Sequence, residues 1–294
     1  MTCSNNLKQL GLAVHNFHSA NDKLPYGILR HQPSSTAISN WPSPEQPNSL
    51  GQYRRFALMH QLLPYIEQEN LFRRWNEWNY GANERDENNI QWGPGWYFQK
   101  QQVKTLICPS QPNAGNPLNR SSNGTSSGRY FLTSYYGSSG TRGYNRGGFT
   151  GGIAVRPSHF DYRDGVFVQN QQFTLQGISD GTSNTLLLGE RHFFDPEFST
   201  RYDPIDDWGW CWFGGTADAL LGAAVRINYR WTPTTAITPN NIDDRMNAYG
   251  SGHTGGANFC MGDGSVRFIR DSLPLATLLA LGTRAGGEVI TGDN

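Results

Sequence analysis

His15 and His18 stand three residues apart. On a helix that spacing puts both rings on one side, where they could reach one metal ion. No carboxylate or third histidine falls at a telling distance from them, so they read as structural side chains on a helix face. His253 is of the type that serves as a general base. It sits among Gly, Ser and Thr, and the chain has no HExxH motif, so a ring hydrogen-bonded to loop backbone is the simpler reading. The run Asp180-Gly-Thr-Ser-Asn-Thr185 clusters oxygen donors of the kind calcium prefers, with Asp180, Thr182 and Asn184 as candidate ligands. Their spacing is not that of an EF-hand, and an Asx-type turn accounts for the same residues. Trp208, Trp210 and Trp212 alternate, so on a strand all three indoles face one way. Exposed, that row would stack on sugar rings, with Glu190, Arg191, Asp206 and Asp207 as polar edges. Buried, it is core.

Lys plus Arg and Asp plus Glu balance at 24 each over 294 residues, so no net field draws the chain to nucleic acid or to an anionic membrane. Lysine occurs only at positions 8, 23, 100 and 104, and the remaining basic residues are Arg, which favours planar pairing and stacking. No apolar run approaches the ~20 residues of a membrane helix. Cys3, Cys108, Cys211 and Cys260 are too widely spaced for a zinc ribbon or a redox pair. Two disulfides in any of three pairings, or four buried thiols, remain open. The triplets Asn119-Arg-Ser121 and Asn123-Gly-Thr125 match glycosylation sequons, but the motif is too short to carry weight.

The elements that must position these residues follow from periodicity. Leu7, Leu10, Val14 and Phe17 after a candidate cap at Ser4 predict an amphipathic helix over 5–19. The stretch 21–52 is rich in Pro, Ser and Asn and reads as a long surface excursion. Helical spacing returns over 54–78, broken at Leu63-Pro64, with Pro64 opening the second piece. Residues 101–108 read as a short strand or helix. Beyond Arg129, short strands are predicted at 130–136, 165–169, 173–178, 185–188 and 208–213. Asp263-Gly264 suits a two-residue type I′ hairpin turn, which pairs Met261 with Val266 and Phe259 with Phe268. Those four would then face the core, with Cys260 and Arg267 on the opposite side. Pro274, Leu275, Leu278, Leu279 and Gly282 mark a short closing helix.

Four stretches together resemble a known family: Cys3-Ser-Asn-Asn-Leu-Lys-Gln-Leu-Gly-Leu-Ala-Val-His-Asn-Phe-His18, Leu63-Pro-Tyr-Ile-Glu-Gln68, Ile178-Ser-Asp-Gly-Thr-Ser-Asn-Thr185 with Glu190, and Ser251-Gly-His-Thr-Gly-Gly-Ala-Asn-Phe259 leading to Asp263-Gly-Ser-Val266. This is the planctomycete-type family with a prepilin-like N-terminus and a domain of unknown function, DUF1559 or SBP_bac_10, described as pseudopilin-like or solute-binding. The most specific match is a His, nine residues and Asp-Gly, here His253 and Asp263-Gly264. The resemblance implies an apolar, prepilin-processed helix immediately before Cys3 in the natural protein, so this chain reads as beginning after its membrane segment. It also implies an oxidising, extracytoplasmic location, where disulfides form. On that ground Cys3 pairs with Cys108 and Cys211 with Cys260, although Cys260 departs from the small or apolar residue usual in the family.

The expected fold is α+β and pilin-like. An N-terminal amphipathic helix packs on a predominantly antiparallel β body, with long loops and a short C-terminal helix. The chain forms one elaborated head domain over 1–294: helix at 5–19, loops and helices over 20–105, β body over 106–294. The expected function is a pseudopilin-like structural subunit on a filament or cell-envelope assembly, not an enzyme. Its partners would be other pilin-like subunits or envelope components, and the membrane would be reached only through the missing helix. The alternative is a carbohydrate- or solute-binding surface protein that uses exposed Trp and Tyr. No cofactor is required, and calcium is the one cation the loop chemistry suggests.

Overall fold

The computed structural model describes residues 1–30, 55–77, 101–111, 118–122, 126–130, 132–142, 148–150, 153–155, 164–192, 195–202 and 219–288. Its first element, α1 (Thr2–Asn21), follows from the apolar stripe. Leu7, Leu10 and Val14 are fully buried and Phe17 nearly so, whereas Leu12 on the outer side is 58% exposed. Ser4 does not cap the helix but lies inside its first turn, where its hydroxyl donates to Met1 O. The far end is closed by Asp22, whose left-handed φ of 57° lets its N–H reach His18 O.

Pro64 acts as its lack of an N–H demands. Helix α2 (Leu58–Leu62) gives way to a 3-10 turn over Leu63–Ile66 with Pro64 in its first positions, and α3 (Glu69–Glu77) follows. Residues 101–108 hold only a 3-10 turn at Lys104–Leu106.

Among the described residues, three antiparallel strand pairs lie outside the main sheet: β1 (Ile28–Arg30) with β2 (Arg55–Ala57), β3 (Leu118–Ser122) with β4 (Ser126–Tyr130), and β6 (Gly148–Thr150) with β7 (Ile153–Val155). The main sheet contains β5 (Tyr135–Ser138), β8 (Leu186–Glu190), β9 (Leu220–Leu221), β10 (Gly256–Met261) and β11 (Val266–Arg270), in the order β11-β10-β8-β5-β9. All neighbours are antiparallel except β5 and β9, so the sheet is mixed. Two predicted strands are absent. Residues 165–169 make only isolated bridges, because Gly165 and Phe167 donate to carbonyls at the end of β5 instead of running along a partner. Residues 173–178 form a 3-10 turn at Leu175–Gly177, capped by Thr174 Oγ1. The predicted strand at 208–213 lies outside the described residues.

The last hairpin is shifted by one residue from the expected register. Cys260 pairs with Val266, Phe259 with Arg267 and Asn258 with Phe268. The loop has three residues, not two. Gly264 N–H donates to Met261 O, Met261 N–H donates to Ser265 O, and only Gly264 takes a positive φ, of 78°. That is a type I turn closed by a left-handed bulge residue. The shift places Val266 and Phe268 on the face of Cys260 and Asn258. Val266 packs against the α1 cluster and Phe268 ends 49% exposed, while Phe259 and Met261 lie in the core as expected and Cys260 is buried as well.

Both faces of β10 are covered. Cys260 joins the cluster that holds Leu7, Leu10 and Val14 of α1 with Leu58, Leu62, Leu106 and Leu188. Phe259, Met261 and Ala257 pack with Tyr136, Leu186, Leu221 and Tyr249, and with Leu278 and Leu281 of the closing helix (Leu275–Gly282). The sheet is therefore a middle layer between two helices, in an α+β architecture. A third cluster of Phe198, Trp231 and Ile242 surrounds the buried pair Asp195–Arg245, whose N···O distance is 2.7 Å. Burial, with Arg191 nearby, brings the Arg245 guanidinium down to about 10, and Asp195 offsets part of that shift.

Candidate functional site

Four elements bring chemistry-bearing side chains to one point at the start of α1. Cys3 comes from the first turn of the helix. Cys108 follows the 3-10 turn at Lys104–Leu106, Glu190 ends β8, and His253 stands in the loop before β10. Cys3 and Cys108 form a disulfide that spans 105 residues of sequence. His253 Nε2 lies 3.6 Å from Cys108 Sγ and 3.4 Å from Glu190 Oε1. Among the described residues, these four form a group of metal-ligating type, their donor atoms all within 4.8 Å of one another.

The surroundings hold each member in place. Asn6 Nδ2 donates to Ile107 O and to the Tyr135 hydroxyl, which itself donates to Cys3 O. Burial pushes the Tyr135 phenol up, so it remains a neutral donor. Cys108 N–H donates to Ser134 Oγ. Glu190 Oε2 accepts from both Asn258 N and Asn258 Nδ2, whereas Glu190 Oε1 is buried with no hydrogen-bond partner. Burial raises the Glu190 carboxyl above its ordinary range, against the opposing pull of the Asn258 donors and of His253. His253 is tied by its own N–H to Ser251 Oγ, and its ring meets Phe268 edge-on. Its side chain is 24% exposed while that of Glu190 is 0%, so His253 is the solvent-facing member of the pair.

The sequence-predicted residues separate on this frame. The Cys3–Cys108 bridge is present. Among the described residues Cys260 is a buried thiol facing α1 with no disulfide, and its expected partner, Cys211, lies outside the described residues. Burial pushes the Cys260 thiol up to about 12. Trp208, Trp210, Trp212, Asp206 and Asp207 also lie outside the described residues. Glu190 and Arg191 are interior, with the Arg191 guanidinium over the Tyr136 ring, and offer no exposed polar edge.

Asp180 spends its carboxylate on chain folding. It accepts from Gly286 N–H at 2.7 Å and Gly287 N–H at 2.9 Å, and holds the segment after the closing helix. Thr182 and Asn184 form a 3-10 turn, and Thr182 O accepts from Asp263 N–H. His18 Nε2 accepts from Leu175 N–H, and His15 lies beside Gly264, so the two rings have separate structural surroundings. His253 and Asp263-Gly264 stand near opposite ends of β10, and both ends touch α1. His253 does so through the disulfide, and Gly264 through its carbonyl, which accepts from Lys8 Nζ at 2.7 Å.

Sequence reasoning missed the meeting of Glu190 and His253 with the disulfide. The available signal was Glu190 closing the apolar run Leu186-Leu187-Leu188-Gly189, a place where a carboxylate is buried with the strand. Gly-x-Ser-x-Gly spacings occur at Gly124–Gly128 and Gly177–Gly181. Neither stands on the strand-to-helix turn in which that spacing exposes a nucleophile. Ser126 opens the hairpin strand β4, and exposed Ser179 lies between two 3-10 turns.

Comparison with family models matches residues 1–276 to SBP_bac_10, a protein family of unknown function (DUF1559). No curated protein and no solved structure matches the chain. The chain belongs to the SBP_bac_10 (DUF1559) family.

Proposed function

We propose that this SBP_bac_10 chain is an extracytoplasmic, pseudopilin-like structural subunit, its β head displayed on a filament or cell-envelope assembly and not itself an enzyme. The observation that carries the reading is α1. This helix of 20 residues buries one side on the sheet, is bonded covalently to the body at its start, and turns the apolar Leu12 outward. A helix held rigidly against a β head with an apolar outer position is suited to packing against a neighbouring helix in an assembly. The disulfide supports an oxidising location. No helix of the described residues is long and apolar enough to cross a membrane.

The test is Leu12→Glu in the protein expressed in its native cells. The folded head should form normally, with unchanged melting, because position 12 touches solvent. Incorporation into the sheared surface fraction or envelope complex should fall at least about tenfold, since a charge would have to enter an apolar contact. Unchanged incorporation would remove α1 as the assembly surface. The rival solute-binding reading is answered by a glycan array probed with the same head. Saturable binding lost in Trp210→Ala would replace the structural reading with sugar recognition.

A further inference from the structure

We propose that, when the Cys3–Cys108 bridge is reduced, Cys3 Sγ, Cys108 Sγ, Glu190 Oε1 and His253 Nε2 bind one divalent cation of the Zn²⁺ class, so that a metal can replace the disulfide as the fastening of α1 to the body. This goes beyond the assembly reading and does not depend on it.

The donor set is two thiolates, an imidazole and a carboxylate, a combination that zinc takes in four-coordinate sites. With Zn–S of about 2.3 Å and Zn–N or Zn–O of about 2.0–2.2 Å, the donors of a tetrahedral site lie about 3.3–3.8 Å apart. The two measured edges that involve His253 Nε2 fall in that range, 3.6 Å to Cys108 Sγ and 3.4 Å to Glu190 Oε1.

A second observation points to a ligand independently. Glu190 Oε1 is fully buried and faces the His253 ring at 3.4 Å without a well-formed hydrogen bond, while both Asn258 donors fix the other oxygen. A buried carboxylate oxygen without a well-formed hydrogen bond costs stability, and a cation held jointly with His253 would meet it. Outer-shell contacts that orient ligands are already in place: Asn258 on Glu190, and Ser251 on the backbone of His253. The partly exposed side of His253 gives a route in from solvent, and the other three ligands are buried.

The chemistry balances with a named reductant. A trialkylphosphine attacks one sulfur of the bridge, and water hydrolyses the thiophosphonium. The phosphine leaves as its oxide, two electrons have passed to the sulfurs, and two protons complete the thiols. Zn²⁺ then displaces both thiol protons to give two metal-bound thiolates. Re-oxidation by a disulfide oxidant takes the two electrons back, re-forms the bridge and releases the metal.

The experiment uses the full chain in a Cys211→Ser/Cys260→Ala background, so that only Cys3 and Cys108 supply thiolates. Cobalt(II) is the probe, because tetrahedral thiolate coordination gives it visible d–d and charge-transfer bands. The expected result is one cobalt per reduced chain with those bands, none for the oxidised chain, and displacement by Zn²⁺. His253→Ala and Glu190→Gln should each weaken binding by at least about tenfold, since even outer-shell partners of a ligand are worth about 10–100-fold. Should the reduced, metal-free chain unfold, Zn²⁺ must restore its near-UV circular dichroism, and must fail to do so in His253→Ala. A folded reduced chain without the bands, an unfolded one that Zn²⁺ does not restore, or bands unchanged in both variants would each overturn the proposal.

Discussion

The two ends of α1 are held by different chemistry. At its start, Cys3 is bonded to Cys108 and enclosed by Glu190, His253 and the Tyr135 hydroxyl. At its end there is no covalent link. Phe17 packs edge-on against Tyr65, His18 accepts from Leu175 N–H, and the helix rests on the apolar shelf around Leu58–Ile66, where His60 is buried. Between the ends lies ordinary close packing. A Cβ on Gly11 would come within 2.5 Å of Cys260 Sγ, so glycine sets how near the helix approaches β10. The contrast suggests a division of labour: the start is fixed in all conditions that preserve the bridge, while the end depends on apolar fit and on a neutral histidine.

Breaking the covalent end has the largest expected effect. Cys3→Ser or Cys108→Ser opens a loop of about 100 residues and should cost about 2–5 kcal/mol in chemical denaturation. A cost below about 1 kcal/mol would mean that packing alone fixes the helix. In the middle, Gly11→Ala should cost about 1–3 kcal/mol through overpacking. Adding Cys260→Ala removes the clashing sulfur, so a double-mutant cycle should show favourable coupling between the two changes. Strict additivity would deny the close approach.

Falling and rising pH should act on opposite ends. Burial lowers the His60 imidazole to about 3. A depressed folded pKa means that the unfolded chain binds the proton first, so stability present above about pH 6.5 is lost as pH falls toward 3, by up to about 1.4 kcal/mol per pH unit. Glu190 has the reverse sign. Its pKa is raised in the folded state, so its contribution is complete below the ordinary carboxylate range and declines as pH rises through the folded value. Denaturation across pH should show the acid slope reduced in His60→Phe and the higher-pH decline reduced in Glu190→Gln. Identical profiles for both variants would dissolve the contrast between the ends.

Much of the frame was legible because local rules met no tertiary opposition. The stripe of Leu7, Leu10, Val14 and Phe17, the break at Pro64, and the closing helix after Pro274 all appear as their residues dictate. The hairpin was misread by one residue. Asp-Gly is common to two turn geometries, and Gly262 supplied the extra loop position that distinguishes them. That slip hid the exposure of Phe268, and the burial of Cys260 was hidden because α1 covers the second face of β10. The cluster at Cys3 was illegible for a different reason. Glu190 and His253 are 63 residues apart, and only the pairing of β8 with β10 brings them together. The bonds from Asp180 to Gly286 and Gly287 were illegible because a carboxylate that accepts backbone N–H groups has the same sequence neighbours as one that binds a metal.

The most direct test is hydrogen–deuterium exchange along α1 in the oxidised and reduced chains, with chelator present to exclude metal. The account predicts that reduction releases the amides of residues 7–10 first, while those of residues 14–17 keep most of their protection on the apolar shelf. Equal loss along the whole helix, or unchanged protection at residues 7–10, would contradict the view that the two ends are held independently.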